Sequence, residues 1–140
     1  MGQQHIEIDM DFDIPVGRLF AYLSEHENLQ AIFKPAKIKR LTDGQGARNG
    51  VGSSRELRIL LTPPFVETVT AYRENELIEY SITQGSPLKN HQGAMRFRPT
   101  AKGSHMRYSI VFEGKYPWVG ALIRPGLELA IRRGLKAMRC

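Results

Sequence analysis

Hydrophobic and polar residues alternate at the start of the chain. Ile6, Ile8, Met10 and Phe12 interleave with His5, Glu7, Asp9, Asp11 and Asp13, the two-residue period of a strand with one face in water. The period then changes. Pro15 suits the first turn of a helix whose apolar side is Leu19, Phe20 and Leu23, and Ser24 offers a cap for a second short helix carrying Glu27, Leu29, Ile32 and Phe33. Pro35 ends this pair, residues 38–41 fit a short strand, and the Asp-Gly and Asn-Gly steps in 42–50 predict turns.

From Val51 onward the pattern predicts strand after strand. Residues 51–61 and 65–72 are separated by Thr62-Pro63-Pro64, 77–83 follow the Glu74-Asn75 turn, and 93–98 and 105–113 flank Ala101-Lys102-Gly103. Connections this short imply an antiparallel meander. Only residues 118–138 return to helical spacing at length. There Val119, Leu122, Ile123, Leu127, Ala130, Ile131, Leu135 and Met138 recur at steps of three and four, an apolar stripe about five turns long. Arg124, Glu128, Arg132, Arg133, Lys136 and Arg139 fall mostly on the other side. Pro125 predicts a kink or a restart. Gly126, Ala130 and Gly134 form one i, i+4 row almost bare of side chains, so either strand backbone packs closely there or the missing volume belongs to a cavity.

One strand, two small helices, about six strands and one long helix predict an α+β fold. A curved antiparallel sheet of about seven strands wraps the C-terminal helix, and the two short helices after strand 1 close one end. Composition fits a single domain over residues 1–140, with 41% hydrophobic residues, able to bury roughly two thirds of its unfolded surface. The one cysteine, Cys140, is the last residue, which leaves no internal disulfide and no cysteine metal site. A cytoplasmic location is expected, because Ile6 stands where a myristoylation signal after Met1-Gly2 needs Ser or Thr and no apolar run approaches the ~18 residues of a membrane span. Twenty Lys and Arg against fourteen Asp and Glu give +6, a field that favours acidic partners without naming one.

The order of elements, with the junction Asp13-Ile14-Pro15-Val16-Gly17-Arg18-Leu19-Phe20-Ala21-Tyr22-Leu23-Ser24 and the following Asn28-Leu29, resembles the START-like, or SRPBCC, superfamily in its polyketide cyclase/dehydratase-like branch. Tyr80-Ser81-Ile82, Gly85-Ser86-Pro87-Leu88, Gly93-Ala94-Met95-Arg96-Phe97-Arg98-Pro99 and residues 103–112 resemble its consecutive strands and turns, although Ser104 stands where the family often has Thr. The resemblance covers nearly the whole chain. It implies the helix-grip fold and a hollow between the concave sheet face and the long helix. It does not choose among the family's lipid and hormone binders, coenzyme Q-binding proteins and aromatase/cyclases.

Strand parity selects what faces that hollow. Met106, Tyr108, Ile110 and Phe112 share one face of the last strand, and the neighbouring strands add Gly93, Met95 and Phe97, and Ile78, Tyr80 and Ile82. The expected ligand-binding set is Tyr80, Ile82, Met95, Phe97, Tyr108, Ile110, Gly126, Ala130 and Gly134. It serves equally as a filled core or as the wall of an apolar cavity. Two charges fall in the inward phase: Glu67 with Phe65, Val69 and Ala71, and Arg55 with Leu57, Ile59 and Leu61. They form a buried pair, orient a polar head group, or sit as a salt bridge on a wet rim; the opposite phase, Val66, Thr68, Thr70 and Tyr72, would turn Glu67 outward.

Among the histidines, His5, His26 and His105 read as surface residues. His91, entering a strand after the loop 85–90, reads as a residue at the cavity mouth. Candidate catalytic residues are therefore Glu67, Arg55 and His91, for a cyclase/dehydratase-type enzyme moving protons on a bound chain. The alternative, and the leading expectation, is a carrier or sensor of a hydrophobic small molecule such as a lipid, quinone or polyketide-like compound. No metal-ligand spacing, nucleophilic triad or phosphate loop occurs in the sequence, and no cofactor is implied. The basic end of the long helix complements its dipole and permits a transient contact with an anionic membrane surface. It lacks the interleaved aromatics of a nucleic-acid binder, so no nucleic acid is expected, and the sequence leaves the oligomeric state open.

Overall fold

The computed structural model describes residues 3–59, 63–85, 88–114 and 116–138. Strand β1 (Gln3–Phe12) leads into α1 (Val16–Ser24), a 3-10 turn at His26–Asn28 and the single turn α2 (Leu29–Ile32). Six strands follow: β2 (Ala36–Thr42), β3 (Ser54–Ile59), β4 (Phe65–Arg73), β5 (Leu77–Gln84), β6 (Leu88–Pro99) and β7 (Ser104–Gly114). Helix α3 (Pro117–Lys136) closes the chain. The expected α+β helix-grip layout is what forms.

All seven strands make one antiparallel sheet in the order β1-β7-β6-β5-β4-β3-β2. Strands β2 to β7 are a simple meander, and β1 returns to pair with β7, so two strands adjacent in sequence lie at opposite edges. The register sets inward residues against inward residues, Ile6 beside Ile110 and Ile8 beside Tyr108. Met106, Tyr108, Ile110 and Phe112 are buried to 2% exposure or less, and Ile131 and Leu135 of α3 pack on the same face. The strand alternation therefore assigned the sheet's inner face correctly.

Several local expectations are corrected. Ser24 ends α1 and its hydroxyl donates to the Ala21 carbonyl at 3.3 Å, so it caps nothing. A 3-10 turn with His26 buried in it then separates the two short helices. Strand β3 begins at Ser54, and Leu61 lies outside the described residues, as do Ser86, Pro87, Arg139 and Cys140. Strand β6 begins at Leu88, five residues before the alternation suggests, because it carries a bulge. Its register against β7 shifts between Lys89 and Gln92, and Asn90 takes φ 51, a conformation asparagine tolerates. Helix α3 continues through Pro125. That proline is exposed, as is Ala121, whose carbonyl would receive the missing bond, so water can serve it.

Candidate functional site

A cavity of about 360 Å³ lies between the sheet and α3. Leu57 and Ile59 of β3, Phe65 of β4, Ile82 of β5, Leu88 of β6 and Ile110 of β7 form its sheet wall. Ile123 and Leu127 of α3 cover it, and Phe33 and Ala36 close the end beside α2. Three polar side chains interrupt the apolar wall: Glu67, Tyr80 and His91.

Of the expected ligand-binding set, Tyr80, Ile82 and Ile110 border this cavity. Met95, Phe97 and Tyr108 share the inner face but belong to the packed core, where Phe97 meets Phe20 edge-on at 5.1 Å. The glycine row is not part of the wall. Gly126 is exposed, with open space where a Cβ would stand, while a Cβ on Gly134 would lie 2.4 Å from the Ile32 carbonyl oxygen. Ala130, half-buried between them on the helix, also lies off the wall. The bare row thus marks a close approach to α2 at one end only, and α3 turns its bulkier Ile123 and Leu127 to the cavity.

Arg55 and Glu67 are buried together, at 3% and 7% exposure, which overturns the wet-rim alternative. Arg55 Nε and Nη2 both reach Glu67 Oε1, at 2.9 and 2.8 Å, and no hydrogen bond to Oε2 forms among the described residues. The guanidinium also lies over the Tyr80 ring, 4.8 Å from its centroid, in cation–π contact. Tyr80 in turn bonds hydroxyl to hydroxyl with Tyr108. Burial above all pushes both phenols upward from the usual tyrosine range, so both stay protonated. The flat ring of Tyr80 lies across Gly93, its cross-strand neighbour, where any Cβ would come within 2.3 Å of Tyr80 Cζ.

His91 sits on the cavity wall within the bulge between Lys89 and Gln92. Its Nδ1 accepts a hydrogen bond from the Ile82 backbone N–H at 3.2 Å, and its ring centroid lies 5.5 Å from that of Tyr80. Burial lowers its pKa; the carboxylate of Glu67 works against this and the charge of Arg55 adds to it. The site thus gathers a carboxylate held by a guanidinium, a neutral imidazole and a phenol around one apolar hollow. Among the described residues no three His, Cys, Asp or Glu side chains are placed to hold a metal ion.

The remaining histidines divide. His5 is exposed beside Ser109, and His105 bridges the surface carboxylates of Asp11 and Asp9 at 2.7 and 3.0 Å, as expected of surface residues. His26 is the correction. It is fully buried, its Nε2 meets Ser53 Oγ at 3.1 Å, and its Nδ1 has no partner. The Ser53 hydroxyl donates to the Gly50 carbonyl, which leaves the histidine to donate from Nε2. Burial, followed by the charges of Arg55 and Arg40, lowers its pKa to about 3. Flanked by Glu25 and Glu27 in a turn too short to show periodicity, it carries no pattern that would reveal burial.

Comparison with known proteins places this geometry. The sequence model of the family described as polyketide cyclase / dehydrase and lipid transport matches residues 3–140. A search of curated proteins finds no match. Solved structures share the fold at low identity. The Zhui aromatase/cyclase from Streptomyces sp. R1128 superposes with a TM-score of 0.71 at 16% identity, over 96% of this chain and 88% of that one. Truncated norcoclaurine synthase from Thalictrum flavum gives 0.69 at 13%, over 99% and 96%. A protein from Mesorhizobium loti gives 0.62 at 13%, over 98% and 100%. At these identities the structures establish a common fold, and the sequence match establishes kinship: the chain belongs to the polyketide cyclase/dehydrase and lipid transport family, within the START-like (SRPBCC) superfamily.

Proposed function

We propose that this protein binds a hydrophobic small molecule, a lipid, quinone or polyketide-like compound, in the cavity between the sheet and α3. The observation that carries the reading is the composition of the wall. Ten apolar residues, from Phe33 to Leu127, enclose a hollow into which only Glu67, Tyr80 and His91 bring polarity. An apolar body desolvated by such a wall gains in proportion to its buried area, and a few placed polar groups fix its orientation. Native mass spectrometry of protein purified from its own host tests this directly, with an apolar mass adduct as the expected result. Replacing Leu127 by Trp fills the hollow and abolishes the adduct while the fold persists. Protein that is always free of adduct, and whose Tm no lipid extract raises, would overturn the reading.

A second reading, a cyclase or dehydratase using the same hollow, draws on one specific observation: the candidate catalytic groups converge. Glu67 lies in contact with Arg55 while bordering the cavity, and His91 borders it from the neighbouring side. A flexible chain held there has its reacting carbons fixed, which replaces a search in solution by a positioned encounter. The fold shared with an aromatase/cyclase is consistent with this. A screen of polyketide-like substrates in which Glu67→Gln abolishes turnover but retains binding supports the enzyme; binding without turnover in wild type leaves the carrier.

The outer face of α3 supports loading from an anionic bilayer. Trp118, Leu122 and Leu129 stand exposed, at 64%, 71% and 50%, on the same helical row as Arg133 and Lys136, which make no ion pair among the described residues. Such contact is peripheral, since no helix among the described residues is long and apolar enough to cross a membrane. Sedimentation with vesicles containing phosphatidylserine, lost on Trp118→Ala with Leu122→Ala, is the expected outcome.

A further inference from the structure

The bond between the Ile82 amide and His91 fixes more than the ring's position. A backbone N–H can only donate, so the ring atom facing it at 3.2 Å presents a lone pair. Nδ1 of His91 is therefore unprotonated, and in a neutral imidazole the hydrogen must sit on Nε2. Adding a second proton would drive N–H against N–H at Nδ1, in an already buried ring beside the Arg55 charge. Nε2 has no protein partner among the described residues, on a side chain that borders the cavity.

We infer that His91 is a specificity-determining donor: locked in its Nε2–H form, it selects ligands that carry an acceptor oxygen, such as a ketone or quinone carbonyl, at the polar end of the cavity. The inference deepens the small-molecule reading above and rests on it. His91 cannot serve as the base of this site while its only lone pair is held by Ile82. Nor does the rest of the site duplicate its task. The Tyr80 hydroxyl is engaged with Tyr108, and Arg55 is turned to Glu67 Oε1. The acceptor role falls to Glu67, whose Oε2 makes no hydrogen bond among the described residues and which pairs with Ile82 from the opposite strand. One residue, Ile82, thus has a donor on its β6 side and an acceptor on its β4 side. The ligand class that satisfies both is an apolar compound with a carbonyl and a hydroxyl at the same end.

Two probes of one skeleton separate the arms: 2-acetylnaphthalene, which carries a ketone, and 2-ethylnaphthalene, which replaces it by a methylene. Their affinities are compared in wild type and in His91→Phe. We expect the ketone-to-hydrocarbon affinity ratio to fall roughly fivefold in the variant, the scale of one hydrogen bond, whatever the substitution does to the affinity of the hydrocarbon itself. An unchanged ratio, with the hydrocarbon bound, overturns the inference and leaves the cavity reading intact. Failure of both probes to bind wild type overturns both. Imidazole nitrogen NMR of the wild-type protein gives a second decision that needs no variant. A protonated Nε2 that shifts on adding the ketone, and not the hydrocarbon, supports the assignment; a protonated Nδ1 refutes it.

Discussion

Arg55 and Glu67 stand opposite each other in the β3–β4 register, and two guanidinium nitrogens meet a single carboxylate oxygen, with both residues less than a tenth exposed. The attraction between them offsets the cost of taking two charges out of water, so the pair matters most when one member is missing. Arg55→Met leaves a lone buried carboxylate and should lower unfolding free energy by about 3–5 kcal/mol. Arg55→Met with Glu67→Met together should recover most of that loss in urea titrations. Equal stability of the single and double variants would show that the pair has no such coupling.

Gly93 exists for Tyr80. A methyl at position 93 falls on the phenol ring, which must swing away and give up its contacts with Tyr108 and Arg55. Gly93→Ala should cost about 1–3 kcal/mol, the scale of overpacking in a closed core. Adding Tyr80→Leu should cancel much of the penalty, a coupling that a double-mutant cycle reads directly. Independent, additive losses would count against the clash.

Gly126 and Gly134 of α3 make opposite predictions. At Gly126, where nothing lies within 4 Å of an added Cβ, alanine removes backbone freedom from the unfolded chain and should stabilise by about 0.5–1 kcal/mol. Gly134→Ala would drive a methyl into the Ile32 carbonyl, push α2 and α3 apart, and should lower Tm by several degrees. Thermal unfolding of the two variants side by side decides it.

His26 should make the fold acid-sensitive. Its imidazole takes a proton near pH 6.5 in the unfolded chain and only at about 3 in the folded one. The unfolded state therefore binds more protons through this window, and stability falls as pH drops below 6.5, by about 2 kcal/mol at pH 5. His26→Gln should flatten the pH dependence of unfolding between pH 5 and 7, whatever its effect at neutral pH. A slope unchanged by the substitution would mean His26 is protonated in place.

His105 should titrate the other way. Hydrogen bonds to Asp11 and then Asp9 raise its pKa above 6.5, so the stability it contributes is present below that pH and is lost as pH climbs through the folded value. Proton NMR should place its midpoint above 6.5, and Asp11→Asn should bring it down.

How much of this could be read from the chain depends on what each residue's position is relative to. Alternation is local, and β7 lies in the middle of the core, so Met106, Tyr108 and Ile110 declared themselves. Arg55 and Glu67 were legible in phase and named as a candidate pair, but whether buried or on a wet rim stayed open, because their register hangs on the connection between β3 and β4, which hydropathy does not specify. His91 shares its phase with Gly93 and Met95, yet the bulge at Asn90 hid that the strand continues to Leu88. The bare row on α3 signalled a close approach but pointed to strand backbone or a cavity, whereas the neighbour proved to be a helix end far off in sequence. His26 had no periodic neighbours at all, and its burial is a property of the tertiary fold alone.

The pairing of the first strand with the last also shapes how the protein is made. His5 and Ser109, neighbours across β1 and β7, are 104 residues apart in the chain. A ribosome adding roughly 5–20 residues per second needs on the order of 5–20 s to supply that partner, and through this interval β1 waits as an unmatched edge while the meander assembles. The acidic residues along its wet side, Glu7, Asp9 and Asp11, then act as guards. Charges on a solitary strand discourage it from annealing to the β1 of another nascent chain on the same message, so a row that looks like ordinary surface in the finished protein protects it before there is a surface to speak of.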